Sequence, residues 1–143
     1  MDSRGFTLLE ILVVMILIAV SGTLVYLNVG KSAEQKRGKM FAREMVSLVK
    51  KARRMSMSFS RPVAFAISSS DRFCWIEGSE ARLDIPEEIL VQGAGIARMD
   101  PDVYGVYFYP DGSSSGGELT LSAGGQPFFA FRVDGLTGLV MPD

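Results

Sequence analysis

The sequence predicts an α+β fold: one long N-terminal α-helix, apolar in its first half and amphipathic in its second, followed by an antiparallel β-sheet head. Three observations predict it. Between Phe6 and Leu27 the only residue charged at neutral pH is Glu10, in a run dominated by Ile, Leu, Val and Met. From Phe41 to Phe59 apolar residues recur at helical intervals, with lysines and arginines between them. Beyond Pro62 the period shortens to that of extended chain, punctuated by turns rich in Gly, Pro and Asp.

The first helical half is long enough to cross a bilayer, because a hydrocarbon core of about 30 Å needs roughly 20 helical residues. It is apolar on every side, so lipid or other helices must cover it. Gly22, Gly30 and Gly38 are weak points in the helix, each costing about 1 kcal/mol relative to alanine. In the second half Phe41, Met45, Leu48, Val49, Ala52, Met55 and Phe59 form a stripe that packs on the head. Lys39, Arg43, Lys50, Lys51, Arg53 and Arg54 fill the other faces, and Pro62 marks the stop.

Pro62–Ser68 and Phe73–Glu77 read as a hairpin joined through Ser69–Arg72. Glu88–Gln92 is a weaker strand ended by Gly93-Ala94-Gly95, and Val103–Tyr109 is strongly β by composition. Pro110-Asp111-Gly112 is a turn, since proline presets φ and glycine accepts positive φ. Glu118–Ser122, a Gly124-Gly125 turn and Phe128–Val133 follow, then a turn over Asp134–Gly138 and a short strand at Leu139–Met141. Tyr104, Tyr107, Phe108, Tyr109, Phe128, Phe129 and Phe131 lie in these strands, where alternation sends about half to the core and half to the surface.

The formal net charge of −1 conceals an asymmetry. Up to Arg61 there are 11 basic and 4 acidic residues; from Pro62 onward there are 4 basic and 12 acidic. A basic stalk therefore carries an acidic head. These are either two solvated surfaces or a source of attraction between the head of one subunit and the stalk of the next. Enzyme chemistry is not expected: histidine is absent and Cys74 is the lone cysteine, a small buried hydrophobe by its neighbours. The carboxylate pairs Asp100/Asp102 and Glu87/Glu88 sit beside prolines in polar loops. One cysteine allows no internal disulfide, and neither a metal site nor a cofactor is expected.

Gly5-Phe6-Thr7-Leu8-Leu9-Glu10, directly after a short polar start and before an apolar run, resembles the signature of the type IV pilin and type II secretion pseudopilin superfamily. Three further segments resemble the general secretion pathway protein H/FimT branch: Leu48–Arg53 (LVKKAR), Tyr107–Leu121 with its Pro110-Asp111-Gly112 turn, and Phe131–Val140 (FRVDGLTGLV). The resemblance implies cleavage between Gly5 and Phe6 by a prepilin peptidase and N-methylation of Phe6. It implies that Glu10 is the assembly carboxylate. Leu8, Leu9, Ile11, Leu12, Val13, Val14, Ile16, Leu17 and Ile18 would belong to the helix that sits in the inner membrane before assembly and in the filament core afterwards.

The implied organisation is a leader at 1–5, a membrane and filament-core helix at 6–29, an amphipathic helix at 30–60 and a β-rich periplasmic head at 61–143. Implied partners are other pseudopilins or pilins, the prepilin peptidase, an inner-membrane assembly platform and the lipid bilayer. The function implied is that of a minor pseudopilin of a type II secretion pseudopilus. The alternative is a FimT/FimU-like minor type IV pilin active in pilus assembly or DNA uptake. Nucleic acid is not an expected partner, because phosphate contacts need displayed cations and the head after Pro62 offers only Arg72, Arg82, Arg98 and Arg132. Counting Lys31, Lys36, Arg37, Lys39 and Arg43 after the span would by itself place the head in the cytoplasm; the implied processing requires the opposite orientation.

Overall fold

The computed structural model describes residues 7–142, with the side chains of residues 22–35 outside the description. Gly5, Phe6 and Asp143 therefore lie outside the described residues. The chain divides into two compact units, Met1–Arg37 and Gly38–Asp143. Helix α1 (Leu8–Phe59) is 52 residues long and contains Gly22, Gly30 and Gly38. Among the described residues no helix is long and apolar enough to cross a membrane. The apolar run counted from the sequence continues to Leu27, and its part from residue 22 onward falls among the side chains outside the description.

In the second unit the helix turns one meridian inward. Phe41, Ala42, Met45, Val49, Ala52 and Ser56 are buried, at spacings of three and four that return to the same face every turn. Leu48 and Met55 pack half-buried beside them. Phe59 departs from the expected stripe and is exposed; the Arg61 guanidinium lies 5.9 Å from its ring centroid. The helix ends there because Ser60 adopts φ 50° and the Arg61 N–H reaches back to the Ser56 carbonyl at 3.3 Å. That is a left-handed C-terminal cap built without glycine.

The head is two antiparallel sheets. One contains β1 (Val63–Ser68), β2 (Phe73–Ile76), β3 (Arg82–Asp84), β5 (Ala97–Asp100) and β6 (Val103–Phe108), in the order β3-β2-β1-β6-β5. The other contains β4 (Ile89–Ala94), β7 (Gly117–Ala123), β8 (Gln126–Val133) and β9 (Val140–Pro142), in the order β4-β7-β8-β9. β3 and β5 are not visible in the sequence pattern. Both are edge strands whose residues alternate between exposed and half-buried, so neither carries the apolar composition that marks a buried strand. β4 runs on to Ala94, beyond its expected end, because Gly93 and Ala94 pair with Leu119 and Glu118 of β7.

Central position explains β1. All six of its residues are buried, with Val63, Phe65 and Ile67 in the core cluster and the small Ala64 and Ala66 on the opposite face. Phe108, Val106, Leu119, Leu121, Phe131, Val133, Ile89 and Val91 complete the core from both sheets. Of the aromatic residues, Phe108 and Phe131 are buried, Tyr104, Tyr107 and Phe129 half-buried, and Tyr109 and Phe128 exposed. Two polar links tie the sheets together. The Tyr104 hydroxyl donates to the Val91 carbonyl at 2.9 Å, and the Arg72 guanidinium donates to the carbonyls of Pro86 and Ile89.

Two features of the head lead to measurable outcomes. Gly105 faces Ala66 in the β1–β6 register, and a Cβ there would stand 2.0 Å from the Phe65 carbonyl oxygen. Gly105→Ala should therefore destabilise the head by about 2–3 kcal/mol, read as a lowered urea midpoint of the full chain followed by Trp75 fluorescence. An unchanged midpoint would show that the strands part at no cost. Burial, reinforced by the Asp84 carboxylate, pushes the Cys74 thiol up to about 12. Its neutral form is the folded form. The associated stability is complete below the unfolded value near 9 and is lost as pH climbs toward 12. At pH 8 a thiol reagent should modify Cys74 only after denaturant is added; rapid modification of the folded chain, read by mass spectrometry, contradicts this.

Candidate functional site

Thr7 starts the helix. Its carbonyl accepts from the N–H groups of Glu10 at 3.0 Å and Ile11 at 3.3 Å, and its hydroxyl accepts from the Glu10 N–H at 3.3 Å. This satisfies donors that a helix N-terminus otherwise leaves open. Glu10 thereby enters the first turn, where the partial positive charge of the helix end favours a carboxylate. The Thr-x-x-Glu spacing is a legible cap signal in the sequence, although the sequence reading assigned no role to Thr7.

Around Glu10 the surface is apolar on all sides. Leu8 is 83% and Leu9 73% exposed, and Ile11, Leu12, Val13, Val14, Met15, Ile16, Leu17 and Ile18 are all exposed as well. Glu10, Ile11, Val14 and Met15 line a shallow groove. Every expected helix residue from Leu8 to Ile18 thus presents its side chain outward around a single carboxylate. The expected cleavage pair, Gly5 and Phe6, lies outside the described residues, so no geometry relates Glu10 to that terminus.

At the other end of the helix, three segments distant in sequence converge on Arg53. Its Nε–H donates to the Gly112 carbonyl at 3.1 Å and the Thr137 carbonyl at 3.0 Å. One residue of the Leu48–Arg53 segment thus holds both the Pro110-Asp111-Gly112 turn and the Asp134–Gly138 turn. Glycine is demanded at both turns. A Cβ on Gly112 would stand 3.0 Å from Arg53 Nη2, and one on Gly138 would stand 2.3 Å from the Gly112 carbonyl oxygen; both residues have positive φ. Ser56 adds a third tie, its hydroxyl contacting the Tyr109 carbonyl at 3.1 Å. The sequence pointed to the segments but not to the arginine that joins them.

Each turn is closed by its own aspartate. Asp111 accepts from the hydroxyl of Ser113 at 2.6 Å and from its N–H at 3.0 Å; chiefly the hydroxyl bond holds its carboxyl below the usual carboxylate range. Asp134 accepts from the Thr137 N–H and hydroxyl, each at 2.8 Å, and from the Leu136 N–H at 3.1 Å. The Thr137 N–H is the first cause of its lowered pKa. Asp134 is therefore occupied as a turn former. Among the described residues, no group of three or more His, Cys, Asp or Glu side chains could hold a metal ion. Asp100, Asp102, Glu87 and Glu88 are solvent-exposed.

Comparison with known proteins adds to this geometry. Residues 1–26 match the prokaryotic N-terminal methylation motif, and residues 42–137 match the family described as type II transport protein GspH. No curated protein matches the chain. Two crystal structures of the Pseudomonas aeruginosa (strain PAO1) type IV minor pilin FimU share the fold. The P21 form gives a TM-score of 0.60 at 12% identity, over 77% of this chain and 90% of that one. The P65 form gives 0.57 at 12% identity, over 73% and 91%. The fold is thus that of a pilin subunit, and the N-terminal motif is of the kind that anchors such subunits in a membrane. With its match running from the buried stretch of α1 through both sheets to the Asp134–Gly138 turn, the chain belongs to the GspH family of type II transport proteins.

Proposed function

We propose that the chain is a minor pseudopilin, a structural subunit of a type II secretion pseudopilus that supports protein export and carries out no chemistry itself. The observation that carries this reading is a lone carboxylate, Glu10, in the first turn of a helix whose surrounding residues are apolar and exposed on every side. Such a surface requires cover. Burying a single Leu or Ile is worth about 1.5–3 kcal/mol relative to exposure, so the segment at 6–29 passes from the bilayer to the cores of neighbouring subunits without facing water.

Glu10 converts that non-directional drive into register. Removal of residues 1–5 by a prepilin peptidase leaves a cationic amine on Phe6. A carboxylate in an apolar span is costly unless paired, and a buried pair stabilises little while strongly disfavouring either charge alone. Pairing of Glu10 with the Phe6 amine of a neighbour therefore selects one axial offset. The amphipathic segment at 30–60 links this core to a periplasmic head at 61–143. An inner-membrane assembly platform would feed subunits in from the bilayer.

A second reading, a minor type IV pilin, draws support from the likeness to FimU, which is a likeness of fold. Deleting the chain separates the two: loss of exported folded proteins fits a pseudopilus, and loss of surface pili fits a pilus.

Processing and assembly supply the direct tests. Gly5→Ala should leave the leader attached, giving an intact mass heavier by the leader. A normally trimmed, methylated Gly5→Ala chain would remove the proposed cut site. Glu10→Ala should still insert into the membrane, while its incorporation into filaments falls about tenfold or more, a figure set by the cost of one unpaired buried charge. Wild-type incorporation on immunoblots of sheared filaments would end the role assigned to Glu10.

A further inference from the structure

The outer face of α1 in the second unit carries cations with nothing set against them. Lys39, Arg43, Lys50, Lys51 and Arg54 are exposed, and none is in an ion pair among the described residues. At 3.6 residues per turn they fall within about a third of the helix circumference, opposite Met45, Val49 and Ala52, along about 22 Å of helix. Ser47 and Met40 share this face, both exposed. The sheets cover the inner face, and Glu44, at the margin of the strip, is the sole acid between Lys36 and Arg61 in the sequence.

Three observations favour an anionic lipid surface as the occupant of this strip. Only eleven residues separate Lys39 from Leu27, where the apolar run ends. A chain anchored through that run therefore holds the strip near the bilayer at high local concentration, and an anionic leaflet attracts each Lys or Arg within a Debye length of about 8–10 Å. Beyond the helix the sign reverses: from Pro62 onward 4 basic residues stand against 12 acidic ones. An anionic surface disfavours approach by the sheets, so the strip is the side that turns toward it. Met40, 60% exposed among the cations, is the kind of apolar side chain that enters a headgroup layer while Lys and Arg stems snorkel around it.

We propose that, before assembly, the second half of α1 lies along the membrane with this strip on anionic phospholipid headgroups. The contact rests on the anchoring and filament reading above and adds to it a resting position for the head. Lying down requires α1 to bend between Leu27 and Lys39. Gly30 and Gly38 fall in that interval, where the missing side chains lower the cost of a bend. Headgroup contact of this kind is electrostatic and reversible, so a subunit drawn into a filament gives it up without unfolding.

Ser47→Cys puts a probe in the middle of the strip, one turn from Arg43, Lys50 and Lys51. Cys74 is buried, so a thiol-reactive fluorophore on the folded full chain reports position 47 alone. The labelled chain is placed in nanodiscs of phosphatidylcholine with or without roughly one-third phosphatidylglycerol, each holding a headgroup-nitroxide lipid as quencher. Quenching should be about threefold stronger with phosphatidylglycerol at about 50 mM NaCl, and should fall to the neutral-lipid level at about 500 mM. The probe on K50E/R54E should lose that gain, and on K50R/R54K it should behave as on the parent. A second label at Cys74, read by mass spectrometry, exposes a misfolded variant, and the lipid and salt comparisons on the parent then decide alone. Equal quenching in both lipids, quenching that survives high salt, or a folded K50E/R54E quenched like the parent overturns the contact. So does a probe that responds to the number of chains per disc rather than to lipid charge, which marks a second copy as the occupant. A chain retained in the discs but unquenched refutes this contact alone; a chain that does not co-elute with the discs refutes the anchoring as well.

Discussion

Everything in the head is organised by the seam between the inward meridian of α1 and the two sheets. Phe41, Met45, Val49 and Ala52 supply one wall of a core whose other walls come from β1, β6, β7 and β8. Neither sheet could bury its apolar face alone, and the second half of the helix would be marginal in water without them. The same seam explains why the outer face is so uniformly basic. Most apolar positions are spent inward, with Met40, Met57 and Phe59 the exposed exceptions, and Lys and Arg take most of the solvent side.

From that seam, Arg53 extends order to the C-terminal part of the chain. It sits at the edge of the buried meridian, half-exposed, where an aliphatic stem can lie along the helix while the guanidinium reaches two carbonyls. One helix residue thereby positions turns 59 and 84 residues away. The glycines at 112 and 138 follow from the volume that the guanidinium and the facing carbonyl occupy. In this chain the three segments thus meet at one place, where an arginine and two glycine turns share the same space.

The two units serve different ends. The first offers apolar side chains to whatever covers them and holds one acid at a capped helix start. The second is a self-sufficient core with charged exteriors. An apolar segment supplies affinity without direction, whereas charges supply direction with little affinity. A subunit that must join an ordered array benefits from both kinds of surface.

Much of this was readable from residues alone. The apolar run, the helical stripe and the turn chemistry of Pro110-Asp111-Gly112 are local signals, and local propensity together with periodicity determined the fold class, the long helix and seven of the nine strands. Glu10 stood out in the sequence as the one acid in an apolar run, and the structure sets it in the first turn of α1. Tertiary structure alone decided the rest. β3 and β5 exist through pairing with β2 and β6 rather than through their own composition. The division into two sheets, the contact of Arg53 with both turns and the meeting of Ser69 with Asp102 all depend on strand register, which joins residues tens of positions apart. Hydrophobic period states which side of an element turns inward; only the packed chain decides what it turns toward.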